Sequence, residues 1–136
     1  MTDYLLDTNI LIQFLRKTTG FLDLLTSLAG DDVLYVSVVT RLEVIRGMQE
    51  REREATFHLL DSFETLAVSL EIADKAGELI RTWRKQGVTL EDMDALIAAS
   101  ALHHELAVVT TNAKHFPMND LVVFQASDKG KLTLRE

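Results

Sequence analysis

The chain has 136 residues, 47% of them hydrophobic, which suits one domain with a buried core and is short for two. It contains no cysteine, and this excludes disulfide bonds, zinc–thiolate sites and a cysteine nucleophile. Acidic residues outnumber basic ones by 21 to 14, so a formal net charge of −7 repels polyanions. With no basic-then-apolar leader and no apolar run long enough to cross a bilayer, we expect a cytoplasmic protein forming a single domain over residues 1–136.

Short apolar segments alternate with longer helical patterns along the chain. We predict five strands, which are rich in Val and Leu: Tyr4–Leu6, Val33–Val36, Leu66–Val68, Ala107–Val109 and Leu121–Phe124. Helices are predicted between them: Asn9–Arg16, Phe21–Ala29, one capped by Ser37 and running to Gly47, Glu52–Glu64, Ile72–Lys85, and one capped by Thr89 and running to Glu105. In the last of these, Asp92 stands three positions after Thr89, as in a capping box.

Uniformly apolar strands are typical of a parallel sheet that is buried on both faces. Their alternation with helices indicates βαβ connections. The predicted fold is therefore an α/β protein, a three-layer α/β/α sandwich around a short, mainly parallel sheet.

Asp7 stands where the first predicted strand ends and a helix begins. Open α/β sheets place their ligand sites outside the carboxyl ends of the strands, so this is a candidate site position. Asp7 is also a good helix N-cap, which is the structural explanation of the same residue.

Two further acids lie inside largely apolar helical segments. Glu43 shares a helix face with Arg46, a pattern that fits either an exposed ion pair or a ligand facing a cleft. Asp94 aligns with Ile97, Ala98 and Ala101, the face that packs on the sheet. Because a buried carboxylate is costly unless it is paired, hydrogen-bonded or metal-bound, Asp94 favours a functional role. We interpret Asp92 as a cap and Glu91 as an outer neighbour of the site.

Three acids from remote segments that meet in one cleft would repel one another until a divalent cation binds. Hard oxygen ligands favour Mg²⁺ or Mn²⁺. Pairs of such ions commonly hydrolyse phosphodiesters, with one ion activating water and the other stabilising the leaving oxygen.

Four parts of the chain form a recognisable pattern: the run LLDTNILI at residues 5–12, the central Glu43, the run DALIAA at 94–99 and the run VTTNAKHF at 109–116. In this order they resemble the PIN-domain ribonucleases, specifically the VapC toxins of toxin–antitoxin pairs. The resemblance implies a Mg²⁺- or Mn²⁺-dependent endoribonuclease acting on RNA such as tRNA, with Asp7, Glu43 and Asp94 as its catalytic, metal-binding acids. It also implies a VapB-type antitoxin as partner.

The resemblance is incomplete at the fourth catalytic position. Family members often carry another acid there, whereas this chain has Asn112, which offers a carbonyl oxygen but no charge. We predict Asn112 as a catalytic residue and expect contacts with RNA or antitoxin from Asn9, Arg46, Lys114 and His115. His58, His103 and His104 are interpreted as ordinary helix residues.

Apolar residues of the first helices exceed what one side of a small sheet needs, and they indicate an antitoxin groove or a homodimer: Ile12, Phe14, Leu15 and Phe21. Two alternative functions stay open. A haloacid-dehalogenase-like phosphatase would use Asp7 as nucleophile, although Asn9 occupies the place of its second Asp. A catalytically silent PIN-like binding module would explain the missing fourth acid.

Overall fold

The computed structural model describes residues 3–30 and 33–135. Six strands form one sheet in these ranges: β1 (Tyr4–Leu6), β2 (Tyr35–Ser37), β3 (Glu64–Leu66), β4 (Ala107–Thr110), β5 (Val123–Ala126) and β6 (Leu132–Leu134). Their spatial order is β3-β2-β1-β4-β5-β6. The first five are parallel to their neighbours, and β6 runs antiparallel to β5. The predicted α/β class with a mainly parallel sheet is confirmed.

Six α-helices connect the strands: α1 (Thr8–Leu15), α2 (Phe21–Ala29), α3 (Val38–Gly47), α4 (Arg53–Asp61), α5 (Leu70–Arg84) and α6 (Asp92–His104). Short 3₁₀ turns occur at Glu50–Glu52 and Ala113–His115. In the described ranges, none of these helices combines the length and the apolar composition that a membrane crossing requires.

Both faces of the sheet are covered, as the apolar strands predict. Leu6 and Val109 point into a cluster with the buried side chains of α1, α2 and α4. Their neighbours Leu5 and Val108 point into a second cluster, on the opposite face, with residues of α6 and the segment that follows β4. Because successive strand residues alternate between faces, this division produces the three layers.

Three helices begin at side-chain caps. The carboxylate of Asp7 accepts a hydrogen bond from the backbone N–H of Thr8, the hydroxyl of Ser37 accepts one from Val39, and that of Ser69 accepts one from Ile72. The cap predicted at Thr89 is wrong, as is that at Asp92. Helix α6 begins after Glu91, without a side-chain cap. Leu90 is buried, so this part of the chain packs into the core before the helix starts.

The end of the predicted helix Glu52–Glu64 is also corrected. Helix α4 ends at Asp61, and Glu64 pairs with Tyr35 in the sheet. Strand β6 was not predicted, because its three residues, one threonine between two leucines, carry little periodic signal. This strand exists because Phe124 and Leu134 are paired across an antiparallel ladder.

Two glycines bring the α1–α2 connection against the turn between β5 and β6. Gly20 has φ +95°, and a β-carbon there would lie 1.8 Å from the carbonyl oxygen of Lys129. Gly130 has φ +75°, and a β-carbon there would lie 2.7 Å from the carbonyl oxygen of Gly20. Backbone meets backbone at this contact, so neither side can yield by rotating a side chain.

We therefore expect Gly20→Ala to lower the free energy of unfolding by roughly 3 kcal/mol or more, since left-handed strain and a steric clash add. Gly87→Ala is the matched control, because Gly87 has φ +79° but open space around it. It should cost only about 1 kcal/mol. Urea denaturation measures both, and equal losses would contradict the close contact.

Candidate active site

Asp7 is both a helix cap and a buried acid at the carboxyl edge of the sheet. Its side chain is almost fully buried, with one oxygen accepting the Thr8 N–H at 2.8 Å. Its other oxygen accepts a hydrogen bond from the Thr110 hydroxyl at 2.7 Å. Thr110 ends β4, the strand adjacent to β1. The two sequence interpretations of Asp7 are therefore compatible, because each carboxylate oxygen keeps a further lone pair for a ligand.

Glu43 approaches Asp7 from α3 through a threonine. The Thr8 hydroxyl donates to Oε1 of Glu43 at 2.6 Å and lies 3.1 Å from the hydroxyl oxygen of Thr40. The other carboxylate oxygen of Glu43 is 3.9 Å from the guanidinium of Arg46, an exposed side chain. Glu43 thus lines the cleft and is also loosely paired with Arg46, so the two alternatives that the sequence left open, a cleft-facing acid and an ion pair, occur together.

Asp94 lies in the first turn of α6, on the other wall of the cleft. Its carboxylate is 19% exposed, and one oxygen lies 3.4 Å from Nδ1 of His115. Ile97, Ala98 and Ala101 on the same helix are buried, as the sequence pattern predicted.

The electrostatics of the cleft disfavour its own negative charge. Burial raises the pKa of Asp94 to about 6, with Asp7 as the next largest cause and Glu43 and Glu91 adding to it, while His115 opposes them. Burial likewise raises the pKa of Asp7, against the hydrogen bonds from Thr110 and Thr8. These shifts have the sign expected of carboxylates gathered in a shielded space without a counter-charge.

The segment after β4 holds the predicted fourth position. The side-chain amide nitrogen of Asn112 lies 3.0 Å from Nε2 of His115. The other ring nitrogen of His115, Nδ1, faces Asp94. Asn112 therefore contacts His115, and it does not line the cleft with the three acids.

The acids lie in a cleft of about 740 Å³. Of the predicted RNA or antitoxin contacts, Asn9, Arg46 and His115 line it, whereas Lys114 does not. Three residues of the site were not predicted from the sequence: Thr8, Thr110 and Arg84. The threonines could have been suspected from their positions beside Asp7 and at the end of β4. Arg84 carried no such signal, because only the packing of α5 brings it to the cleft.

The residues present fit a divalent cation in their chemistry. Within residues 3–30 and 33–135, no three acidic or histidine side chains already form a closed metal-binding cluster. The donors are nevertheless hard carboxylate oxygens, and burial together with neighbouring acids raises the pKa of Asp7 and Asp94, a cost that a bound cation would offset.

Because burial and neighbouring acids raise the pKa of Asp94, we expect the protein without metal to become less stable as pH rises. The folded-state pKa of Asp94 is about 6, against 3.8 when unfolded, so the folded state binds the proton more tightly. The free energy of unfolding therefore falls by on the order of 2 kcal/mol, through this residue, as pH rises from about 4 to 6. In EDTA at pH 7.5, we expect Asp94→Asn to melt several degrees above wild type, with the difference vanishing near pH 4.

Asp74→Asn is the control, since it removes the same charge from an exposed position on α5 that does not line the cleft. Thermal melts between pH 4 and pH 8 decide the matter. If Asp94→Asn melts below wild type at pH 7.5, Asp94 stabilises the fold and the repulsion argument is wrong.

A domain-family model and named relatives match this chain. The family model described as "PIN domain" matches residues 4–119. The ribonuclease VapC10 of Mycobacterium tuberculosis is 38% identical over 114 residues, covering 84% of this chain and 86% of the relative. The ribonuclease VapC1 of Methanocaldococcus jannaschii is 30% identical over 113 residues, covering 82% and 77% respectively.

Solved structures agree as well. VapBC-1 of nontypeable Haemophilus influenzae has a TM-score of 0.78 and 28% identity, covering 91% of this chain and 98% of that one. A toxin–antitoxin complex of Klebsiella pneumoniae has a TM-score of 0.73 and 27% identity, covering 87% and 93%. Fold and sequence similarity agree, and this chain belongs to the PIN-domain family, among the VapC ribonucleases.

Proposed function

We propose that this chain is a Mg²⁺- or Mn²⁺-dependent endoribonuclease, formed by a single domain, and the toxin of a toxin–antitoxin pair. The observation that carries the metal dependence is the convergence of Asp7, Glu43 and Asp94 on one cleft, where burial and then the charges of Asp7 and Glu43 raise the pKa of Asp94. The relatives are named ribonucleases, which supports RNA as the substrate.

In this proposal, Asp7, Glu43 and Asp94 hold the cation. When bound, the cation neutralises charge on the phosphate and promotes deprotonation of the attacking water. Thr8 and Thr110 keep the carboxylates oriented, because the hydroxyl of Thr8 donates to Glu43 and that of Thr110 donates to Asp7. Asn112 acts through His115, holding the imidazole ring with Nδ1 on the side of Asp94.

Water attack forms a new P–O bond and breaks the bond between phosphorus and the 3′-oxygen, which takes up a proton. The products therefore carry a 5′-phosphate and a 3′-hydroxyl. A nuclease that used the 2′-hydroxyl instead would leave a 2′,3′-cyclic phosphate.

The RNA backbone would cross the cleft between two cations. Arg46 on α3 and Arg84 at the end of α5 both line it, as do Asn9 and His115. Lys114 is exposed beside this opening. With a net charge of −7, binding depends on these local cations and is weak and salt-sensitive.

The proposed partner is a VapB-type antitoxin. A largely apolar groove runs between α1, α2 and α4, and Phe14, Leu15 and Leu22 line it. An amphipathic helix fits such a groove, and a basic side chain from the same partner would be attracted to the acidic cleft. Phe21, predicted for this surface, is fully buried in the core instead, while Ile12 lines the cleft. A homodimer through the remaining apolar surface is the other occupant that the sequence suggested.

Family membership removes the phosphatase alternative, because a haloacid-dehalogenase-like enzyme belongs to a different family. The silent binding module makes a different prediction from the nuclease. It would bind RNA or antitoxin and leave RNA intact with any metal.

We expect the purified protein to cut an end-labelled RNA internally in Mg²⁺ or Mn²⁺ and to be inactive in EDTA. The new ends should be 5′-phosphate and 3′-hydroxyl, and a 2′-deoxy substitution at the cut site should not prevent cleavage, since the 2′-hydroxyl takes no part. Asp94→Asn, which retains the shape of the side chain, should be inactive. Cleavage that survives EDTA, or cyclic phosphate ends, would overturn the mechanism.

We further expect Arg84→Gln to weaken RNA binding several-fold and to reduce the salt slope by about one, as loss of one phosphate contact does. Arg81→Gln is the matched control, since Arg81 lies on the same helix, pairs loosely with Glu78 at 3.9 Å and does not line the cleft. Fluorescence anisotropy with labelled RNA and Ca²⁺ in place of Mg²⁺ measures both. Identical behaviour of the two variants would exclude Arg84 from the RNA path.

A further inference from the structure

A glutamine on β5 bonds to the segment that follows β4. The side-chain oxygen of Gln125 accepts the backbone N–H of Ala113 at 2.6 Å. Its amide nitrogen donates to the carbonyl of Thr111 at 2.5 Å and to that of Ala126 at 3.0 Å. One half-buried amide thus holds the backbone on both sides of Asn112. The family model match ends at residue 119, so Gln125 lies outside the matched part.

The segment held by Gln125 carries one contact to Asp7. The backbone N–H of Asn112 donates to the hydroxyl oxygen of Thr110 at 3.0 Å. Since that oxygen is an acceptor on this side, the single hydroxyl proton of Thr110 is free to point at Asp7, where the bond measures 2.7 Å. The position of Asn112 therefore orients a hydrogen bond to a buried acid.

The same segment carries a contact to Asp94. The side chain of Asn112 donates to His115, whose other nitrogen faces Asp94 at 3.4 Å. If the backbone between 111 and 113 shifts, both contacts change together, because both depend on Asn112. Gln125 is thus connected to two of the three acids through residues 110–115 and does not line the cleft itself.

An arginine near the end of the chain holds the continuation of this segment. The guanidinium of Arg135 donates to the carbonyls of Phe116, Met118 and Leu121. Arg135 directly follows β6, which pairs with β5, and the turn between these strands is pressed against Gly20. Gln125 and Arg135 therefore belong to one anchored hairpin, β5–β6.

We propose that Gln125 is a positioning residue of the metal site: through Thr111 and Ala113 it holds Asn112 where Thr110 and His115 can orient Asp7 and Asp94. Arg135 supports the same segment from its other end. This inference rests on the proposed divalent-metal site, but not on RNA cleavage. It assigns a role in the active site to a hairpin that contributes no side chain to the cleft.

Gln125→Leu keeps the size of the side chain and removes all three hydrogen bonds. We expect it to bind Mn²⁺ about 10-fold more weakly in isothermal titration calorimetry, as loss of outer-sphere support does at other metal sites. Hydrogen exchange should also quicken at the amides of residues 112 and 113, measured on the metal-free protein. Gln125→Glu retains the acceptor for Ala113 and should lie between wild type and Gln125→Leu in both measurements.

Gln13→Leu is the matched control. Gln13 is also half-buried and lines the same small pocket as Gln125, but its oxygen accepts from the Thr18 hydroxyl at 2.7 Å, in the α1–α2 connection. A general loss of packing would lower the melting temperature of both variants and leave Mn²⁺ affinity unchanged. Only a positioning role separates them in Mn²⁺ affinity and in exchange at 112–113.

Wild-type Mn²⁺ affinity in Gln125→Leu, measured well below its melting temperature, would overturn the proposal. Should that variant fail to fold, Gln125→Glu and Arg135→Met decide by the same two measurements. The proposed nuclease function fails separately: a wild-type protein that binds Mn²⁺ and cuts no RNA contradicts the reaction and leaves the role of Gln125 standing. A wild-type protein that binds no divalent cation overturns both.

Discussion

The buried carboxylate of Asp7 is the constraint on which the rest of this active site depends. An acid with almost no exposed surface must be compensated, and here the start of α1 and the end of β4 supply one hydrogen bond each. These bonds use one lone pair on each oxygen and do not neutralise the charge. The remaining charge therefore faces the cleft, where Glu43 and Asp94 add to it, and the pKa values of Asp7 and Asp94 are raised by burial and by neighbouring acids.

The sheet order explains why the acids meet at this place. β2 and β3 extend the sheet on one side of β1, and β4 and β5 extend it on the other. The connections therefore leave in opposite directions at the β1–β4 boundary, and such a boundary opens a crevice at the carboxyl ends of the strands. Asp7 follows one of these strands and Thr110 ends the other. Among the residues that the structure describes, Arg46 and Arg84 are the Lys or Arg side chains that line this cleft.

Much of the fold could be predicted because it is encoded locally. The predicted helix Phe21–Ala29 and strand Tyr4–Leu6 have the bounds seen in the structure, and Ser37 caps α3 as expected. Errors occur where distant contacts override local preference. Thr89 is a good capping residue, but burial of Leu90 delays the helix to Asp92. β6 carries almost no pattern of its own and forms because β5 offers a free edge.

The sequence by itself singled out Asp7, Glu43 and Asp94, which line one cleft in the structure, since an acid in an apolar segment is conspicuous wherever the chain folds. It also determined the alternation of strands and helices that brings them to one edge. Only the tertiary structure decided what surrounds them. Thr110 bonds to Asp7 across 103 residues of chain, and Gln125 reaches back to Ala113 from the next strand. Such hydrogen bonds leave no periodic trace, because a polar side chain in a short segment looks the same whether it faces solvent or supports a site.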